Sequence, residues 1–399
     1  MDGKNFLRKR LKNGMIVVME KRELPVVSFS ITNMYGAGME GSKIKGISHF
    51  IEHLVFTGTE TRTHEDISRE IEKKGGILNA FTSHELTSFW FKLPSKHVFA
   101  GLDIIADMLL NPTFEKEKFE KEKKVILEEI KMYHDNPQRF IHDKIEENLY
   151  QKPFGEGVIG SDETILALKR DFVFEHFKEN YSPQNYIVAI VGDADFEKVC
   201  AYLEKAFGSS GKKSTRINVK ERNVSSVEMR AGIDQAHFIF GMHAPLPGTK
   251  EFYALEVLDA YLANGMSSKL FLEIREKRGL AYAVKSSINS EKDYSYYSIY
   301  VGTTKDKIDE VKKIILEEFG NVKNMTAKDL AEAKERVIGL KKVSSEEGTN
   351  VMSDLIFYEL CGNAEDYYKY EKNIGAVTLS DVKKRANVKN FSTAVIRPR

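Results

Sequence analysis

Two periods alternate along this 399-residue chain. Runs of alternating or β-branched residues have the period of a strand, and longer stretches in which apolar residues return every three or four positions have that of a helix on a core. VVSFSITNMY (26–35), TSFWFKL (87–93), NYIVAIVG (185–192), HFIFGMH (237–243) and YSYYSIYVG (294–302) read as strands, as does MIVVM near the N-terminus. FEKEKKVILEEIKM (119–132) reads as an amphipathic helix, with Val125, Ile126, Leu127 and Ile130 as apolar surface and Glu122 and Glu129 two turns apart on one stripe. Strands and helices succeed each other in the same way in both halves. EIEKKGGILNAFTS (70–83) aligns without gaps on EIREKRGLAYAVKS (273–286), with six identities in fourteen positions, which points to two copies of one domain. The expectation is an α+β chain of two homologous sandwich domains, each a mostly antiparallel sheet backed by helices. The polar stretch GSSGKKST places a linker at 209–222, between domains at 1–208 and 223–399.

Composition changes this picture little. A chain of this length exceeds what one core usually supports, so two domains are expected on size alone. An apolar share of 42% and a charged share of 30% are those of a globular protein, and the net charge of +1 gives no general attraction to nucleic acid or anionic membrane. No run is long and apolar enough for a spanning helix, and the N-terminus shows neither a signal nor a transit segment, so the expected location is cytoplasmic. Cys200 and Cys361, far apart and outside any CxxC, read as buried small hydrophobes in a reducing compartment.

The chemistry enters at His49-Phe50-Ile51-Glu52-His53. On a helix the two imidazoles, four apart, lie about 40° from each other, with the carboxylate on the same face. Neutral imidazoles suit Zn²⁺, and a carboxylate one turn away suits a general base. The order His-x-x-Glu-His is the inverted zinc-peptidase motif. The plain alternative is a solvated helix face, so a third ligand is required. The helix at 119–132 offers Glu122 and Glu129 on one stripe and Glu128 off it.

GISHFIEHLVFTGTETR (46–62), EKKVILEEIKMYHDNP (122–137), GGILNAFTSHELTSFWF (75–91) and LFLEIREKRGLAYAV (270–284) together resemble the pitrilysin/insulinase-type inverzincin metallopeptidases. The likeness is to their small members, related to the mitochondrial and bacterial processing peptidases. The resemblance implies that Glu129 is the third ligand beside His49 and His53, and Glu122 a supporting acid behind them. It also implies that Arg275 and Tyr282 reach the active site, and that the strand with Asn79, Ala80 and Phe81 is an exposed edge receiving peptide backbone. His84, on the same stretch, is a possible substrate contact. The remaining histidines (64, 97, 134, 142, 176, 237 and 243) fall at no ligand spacing and read as surface or satisfied core residues.

The expected activity is zinc-dependent endopeptidase. Glu52 would take a proton from water activated by Zn²⁺ and deliver it to the leaving amine, and Tyr282 with Arg275 would supply donors to the oxyanion. In the second half, Phe252, Leu255 and Glu256 stand where the motif would repeat, so that half has no metal triad. Two other classes share these features. A non-catalytic subunit would lack Glu52 or a ligand, whereas a hydrolase of non-peptide substrates would need no edge strand. In this family an enclosed site takes four such domains, which implies a homodimer whose sites each join the zinc half of one subunit to Arg275 and Tyr282 of the other.

Overall fold

The computed structural model describes residues 3–208, 211, 213–214 and 217–399, so the expected linker at 209–222 lies in part outside the described residues. The chain folds into two compact units, each built on one sheet. Among the described residues the eleven strands are β1 Phe6–Arg10, β2 Ile16–Lys21, β3 Val26–Asn33, β4 Ile77–Thr82, β5 Thr87–Pro94, β6 Tyr186–Gly192, β7 Ser226–Arg230, β8 Ala236–His243, β9 Ala281–Ser290, β10 Ser295–Thr303 and β11 Ser392–Pro398. All six runs read as strands, MIVVM included, fall on strands here.

The first sheet runs β1-β2-β6-β3-β5-β4 and the second β7-β11-β8-β10-β9. Among the described residues each contains a single parallel pair, β2 with β6 and β11 with β7, and is otherwise antiparallel. The expected class, mostly antiparallel sheets backed by helices, is the observed one. Alternation explains the sides. On β3, Val27, Phe29 and Ile31 enter the main core with Phe91 and Ile190, whereas Ser28, Ser30 and Thr32 face the other way. Those polar residues are buried too, and Thr32 bonds Ser88 across the pair at 2.8 Å.

The helices that matter for the site are α1 Ile47–Val55, α2 His64–Glu72, α3 Val98–Leu110, α4 Lys116–Asp135 and α5 Pro137–Leu149. In the first unit α1 and α3 pack on β5, and the helix Gly348–Cys361 packs on β3 and β6. In the second unit α5 packs on β8 and β11.

These contacts correct the expected boundaries. The first unit comprises 1–131, 157–218 and 344–368, and the second 132–156, 219–343 and 369–399. Neither unit is one continuous half, because each sheet has a second face that α5 or the helix Gly348–Cys361, from the other half of the sequence, must cover. A contiguous cut would leave both faces bare, and strand periodicity carries no information about which distant helix does the covering.

Cys200 is buried as expected, Cys361 is only half-buried, and neither is in a disulfide among the described residues. Among the described residues, no helix is long and apolar enough to cross a membrane.

Candidate metal centre and active site

Helix α1 is short, and its start is determined by a residue outside it. Gly46, just before the first turn, has φ +92°, a left-handed value that favours glycine, and a Cβ there would collide with the Ile159 carbonyl. The orphan N–H groups of Gly46 and Ser48 are taken by the Glu40 carboxylate at 2.8 and 2.7 Å. Glu40 is fully buried. From that start Ile47, Phe50, Ile51, Leu54 and Val55 face the core, so His49, Glu52 and His53 share the remaining face.

Helix α4 meets α1 through Phe119, whose ring lies 4.8 Å from that of Phe50. Phe119, Lys123 and Ile126 form its buried stripe, and Lys123 is held by the Leu168 carbonyl at 2.8 Å. Leu127 and Ile130 are half-buried against the core as expected, but Val125 is 43% exposed. Two helical turns, from Phe119 through Lys123 to Ile126, already fill the contact, and Val125 lies off that stripe.

The same packing brings Glu122 and Glu129 to the histidines. Nε2 of His49 and Nε2 of His53 lie 3.7 and 3.6 Å from Oε2 of Glu129. The three ligand atoms fall within 4.8 Å of one another, the only such group among the described residues. Nδ1 of His53 is 3.3 Å from Oε2 of Glu122. A proton held on Nδ1 by that carboxylate leaves the Nε2 lone pair facing the other two ligand atoms, the arrangement in which an outer carboxylate fixes a metal-binding imidazole. The Nδ1 of His49 is buried and meets no hydrogen-bond partner. Two imidazoles and one carboxylate, with room for a fourth ligand, fit a tetrahedral Zn²⁺ site of the catalytic kind.

Electrostatics divide the two imidazoles. Burial, and then the neighbouring His53, push His49 down to about 4, although Glu129 opposes the shift. Burial also disfavours charge on His53, but the hydrogen bond to Glu122 and the nearby Glu129 carboxylate outweigh it and lift this ring to about 9. Without a cation the two acids therefore hold one proton at His53, a site prepared for positive charge. Burial raises Glu52 above the ordinary carboxyl range, against the pull of its bond to Thr82 and the charge of His53. A carboxylate raised in this way is a better base near neutral pH.

Thr82 is the residue that sequence reasoning missed. Its hydroxyl donates to Oε2 of Glu52 at 2.5 Å and so orients the carboxylate from β4. A signal was present in the alternation. Leu78 and Ala80 of β4 pack against the core, and Thr82 is the polar residue that continues their side of the strand. Ile77, Asn79 and Phe81 point the other way, and Phe81 is 39% exposed.

β4 is the edge of its sheet, bonded only to β5. The N–H of Ala80 turns to the open side, where Oδ1 of Asn79 accepts it at 2.8 Å. His84 lies beyond the strand and is buried, its carbonyl accepting from the N–H of Gly38 at 2.8 Å, so it does not extend the edge. Phe50, Phe89 and Phe91 are core residues.

Arg275 and Tyr282 belong to the second unit. Arg275 is on a π-helical segment, Phe271–Lys277, with its guanidinium over the Phe271 ring at 4.9 Å and Nε 3.8 Å from Glu276. Tyr282 is on β9, 43% exposed, with its hydroxyl 3.3 Å from that of Tyr300.

Comparison with known proteins bears on this arrangement. Residues 16–162 match the family described as insulinase (peptidase family M16), and residues 167–337 match the peptidase M16 inactive domain. An uncharacterized zinc protease of Bacillus subtilis is 33% identical over 87% of this chain and 86% of its own length. The chain belongs to peptidase family M16. A second M16 relative, an uncharacterized zinc protease of Rickettsia bellii, is 30% identical over 99% of this chain and 98% of its own. A crystal structure of a protease from Helicobacter pylori superposes with a TM-score of 0.91 over 98% of this chain and 99% of that one, at 23% identity, which is a likeness of fold. The first matched M16 segment contains His49, Glu52, His53, Glu122 and Glu129, and the inactive-domain segment contains Arg275 and Tyr282.

Proposed function

We propose that this chain is a zinc-dependent endopeptidase in which His49, His53 and Glu129 hold the metal and Glu52 is the general base. The observation that carries the reading is the convergence of three ligand atoms beside a base that Thr82 orients. When bound, Zn²⁺ supplies Lewis acidity, acidifying a water and polarising a carbonyl. Glu52 takes the proton of the attacking water and returns it to the leaving amine. Glu122 holds the proton on Nδ1 of His53. β4, with Asn79, Ala80 and Phe81 on its open edge, receives an extended peptide as an added strand, with Phe81 offering an apolar contact to a side chain. Tyr282 and Arg275 donate to the oxyanion from the homologous domain that lacks ligands.

Supporting the choice of a peptide over a small ester or amide is the edge strand itself, joined to the base through Thr82. Supporting an enzyme over an inactive subunit is the presence of all four residues of the motif and third ligand. In this reading the chain works in the cytoplasm as a homodimer enclosing its sites.

A quenched fluorescent peptide tests the function. Hydrolysis is expected, stopped by a chelator, restored by Zn²⁺, and lost by several orders of magnitude in Glu52→Gln, which keeps its zinc. Stoichiometric zinc in the wild-type protein with no cleavage of any member of a diverse peptide library would reject it.

A further inference from the structure

Tyr282 departs from the regular pairing of its strand. On β9, Val284 faces Val301 of β10 and Ala283 faces Gly302, but the next β10 residue, Thr303, faces Ala281. Tyr282 is thus the extra residue of a β-bulge, a device that re-aims a side chain out of the alternation of its strand. The ring is turned across β10, because a Cβ on Gly302 would collide with it. From there the Tyr282 hydroxyl lies 3.3 Å from the Tyr300 hydroxyl, which is itself 2.8 Å from Nδ1 of His237. His237 is on β8, directly opposite Gly302. It is 6% exposed, and the chain of bonds runs from it out to a half-exposed phenol.

The polarity of this chain has a consequence. Each hydroxyl has one proton to donate and lone pairs to accept with. For Tyr282 to present its proton outward, its oxygen must accept from Tyr300, whose own oxygen must accept from an Nδ1–H of His237. Burial, and then Arg230, hold His237 below its ordinary range, so the ring is neutral near pH 7, with its one proton on Nδ1 in this arrangement.

We propose that His237 and Tyr300 are positioning residues of the reaction, which aim the Tyr282 proton outward while Gly302 provides the floor for its ring. This rests on the reading of Tyr282 as an oxyanion donor.

The test combines ¹⁹F spectra with kinetics. In protein containing 3-fluorotyrosine, the resonance absent from Tyr282→Phe belongs to Tyr282. Tyr300→Phe and His237→Leu should each move that resonance and lower kcat roughly 3- to 10-fold, the worth of one neutral hydrogen bond, with KM and zinc content unchanged. His237→Asn, which keeps a donor near Nδ1, should recover most of the loss. In a Tyr282→Phe background, Tyr300→Phe should cost nothing more, since no proton is left to aim. A Tyr282 resonance unmoved by Tyr300→Phe, or fully additive losses in the double variant, overturns the relay. Full activity in Tyr282→Phe with a resonance that moves as described instead rejects the donor role of Tyr282, and with it the use of the relay in catalysis. Tyr300→Phe adds no atoms, so it remains informative if His237→Leu does not fold.

Discussion

Glu52 owes its orientation to a hydroxyl on another element, and this makes Thr82 the sharpest residue-scale test of the site. Thr82→Val keeps the shape and removes the donor. It should lower kcat by about tenfold, with zinc content unchanged by metal analysis. Glu122→Gln acts on the other side. It should weaken zinc affinity by roughly 10- to 100-fold in a chelator competition, because the Nδ1 proton of His53 loses its carboxylate partner. His176 gives a pH dependence of stability unconnected with the metal. Burial holds its ring below the ordinary value against a smaller pull from Glu179, and it packs edge-on to Tyr35 at 5.3 Å. The unfolded chain binds this proton below about pH 6.5 and the folded chain resists it. The contribution is therefore complete above that pH and lost as pH falls through it. Urea midpoints should decrease from pH 7.5 to 5.5, and His176→Phe should flatten part of that decrease.

At the scale of elements, the proposed metal centre depends on how two helices meet. The Phe50–Phe119 contact sets the register that places Glu122 and Glu129 beside His53 and His49. Both rings are fully buried. Phe50→Ala should cost about 3–5 kcal/mol in urea unfolding. It should also weaken zinc binding in the folded fraction, although Phe50 touches no ligand. Unchanged zinc affinity in that variant would mean that the ligands are positioned by α1 and α4 separately. Glu40 and Gly46 act at the other end of α1, where the left-handed turn and the buried carboxylate define where the helix begins. Neither carries a periodic signal, since the partners Glu40 and Ser48 belong to a local turn and not to a repeat.

At the scale of the molecule, the proposed homodimer predicts complementation. Glu52→Gln and Arg275→Ala/Tyr282→Phe proteins should each be inactive alone, and after subunit exchange should recover up to about one active site per mixed dimer. Mass spectrometry of mixed species verifies the exchange. No recovery in verified heterodimers would mean that each site is complete within one chain.

The separation between what was legible in the sequence and what was not follows from range. Local periodicity determined the strands and the amphipathic faces, since side-chain direction depends on the residue's own backbone. The His-x-x-Glu-His spacing likewise placed His49, Glu52 and His53 on one helix face, because a helix has one geometry. The spacing within α4 left Glu122 and Glu129 both open as ligands, and resemblance was needed to choose between them. Only tertiary structure decided that Thr82 orients Glu52, that Glu40 caps α1, and that each sheet is covered by a helix from the other half of the chain. It also showed Val125 exposed, His84 buried, and Tyr282 bulged onto Gly302. These outcomes depend on which surfaces meet across long separations, and packing selects them by burying apolar area and pairing buried polar groups, quantities that no single stretch of residues contains.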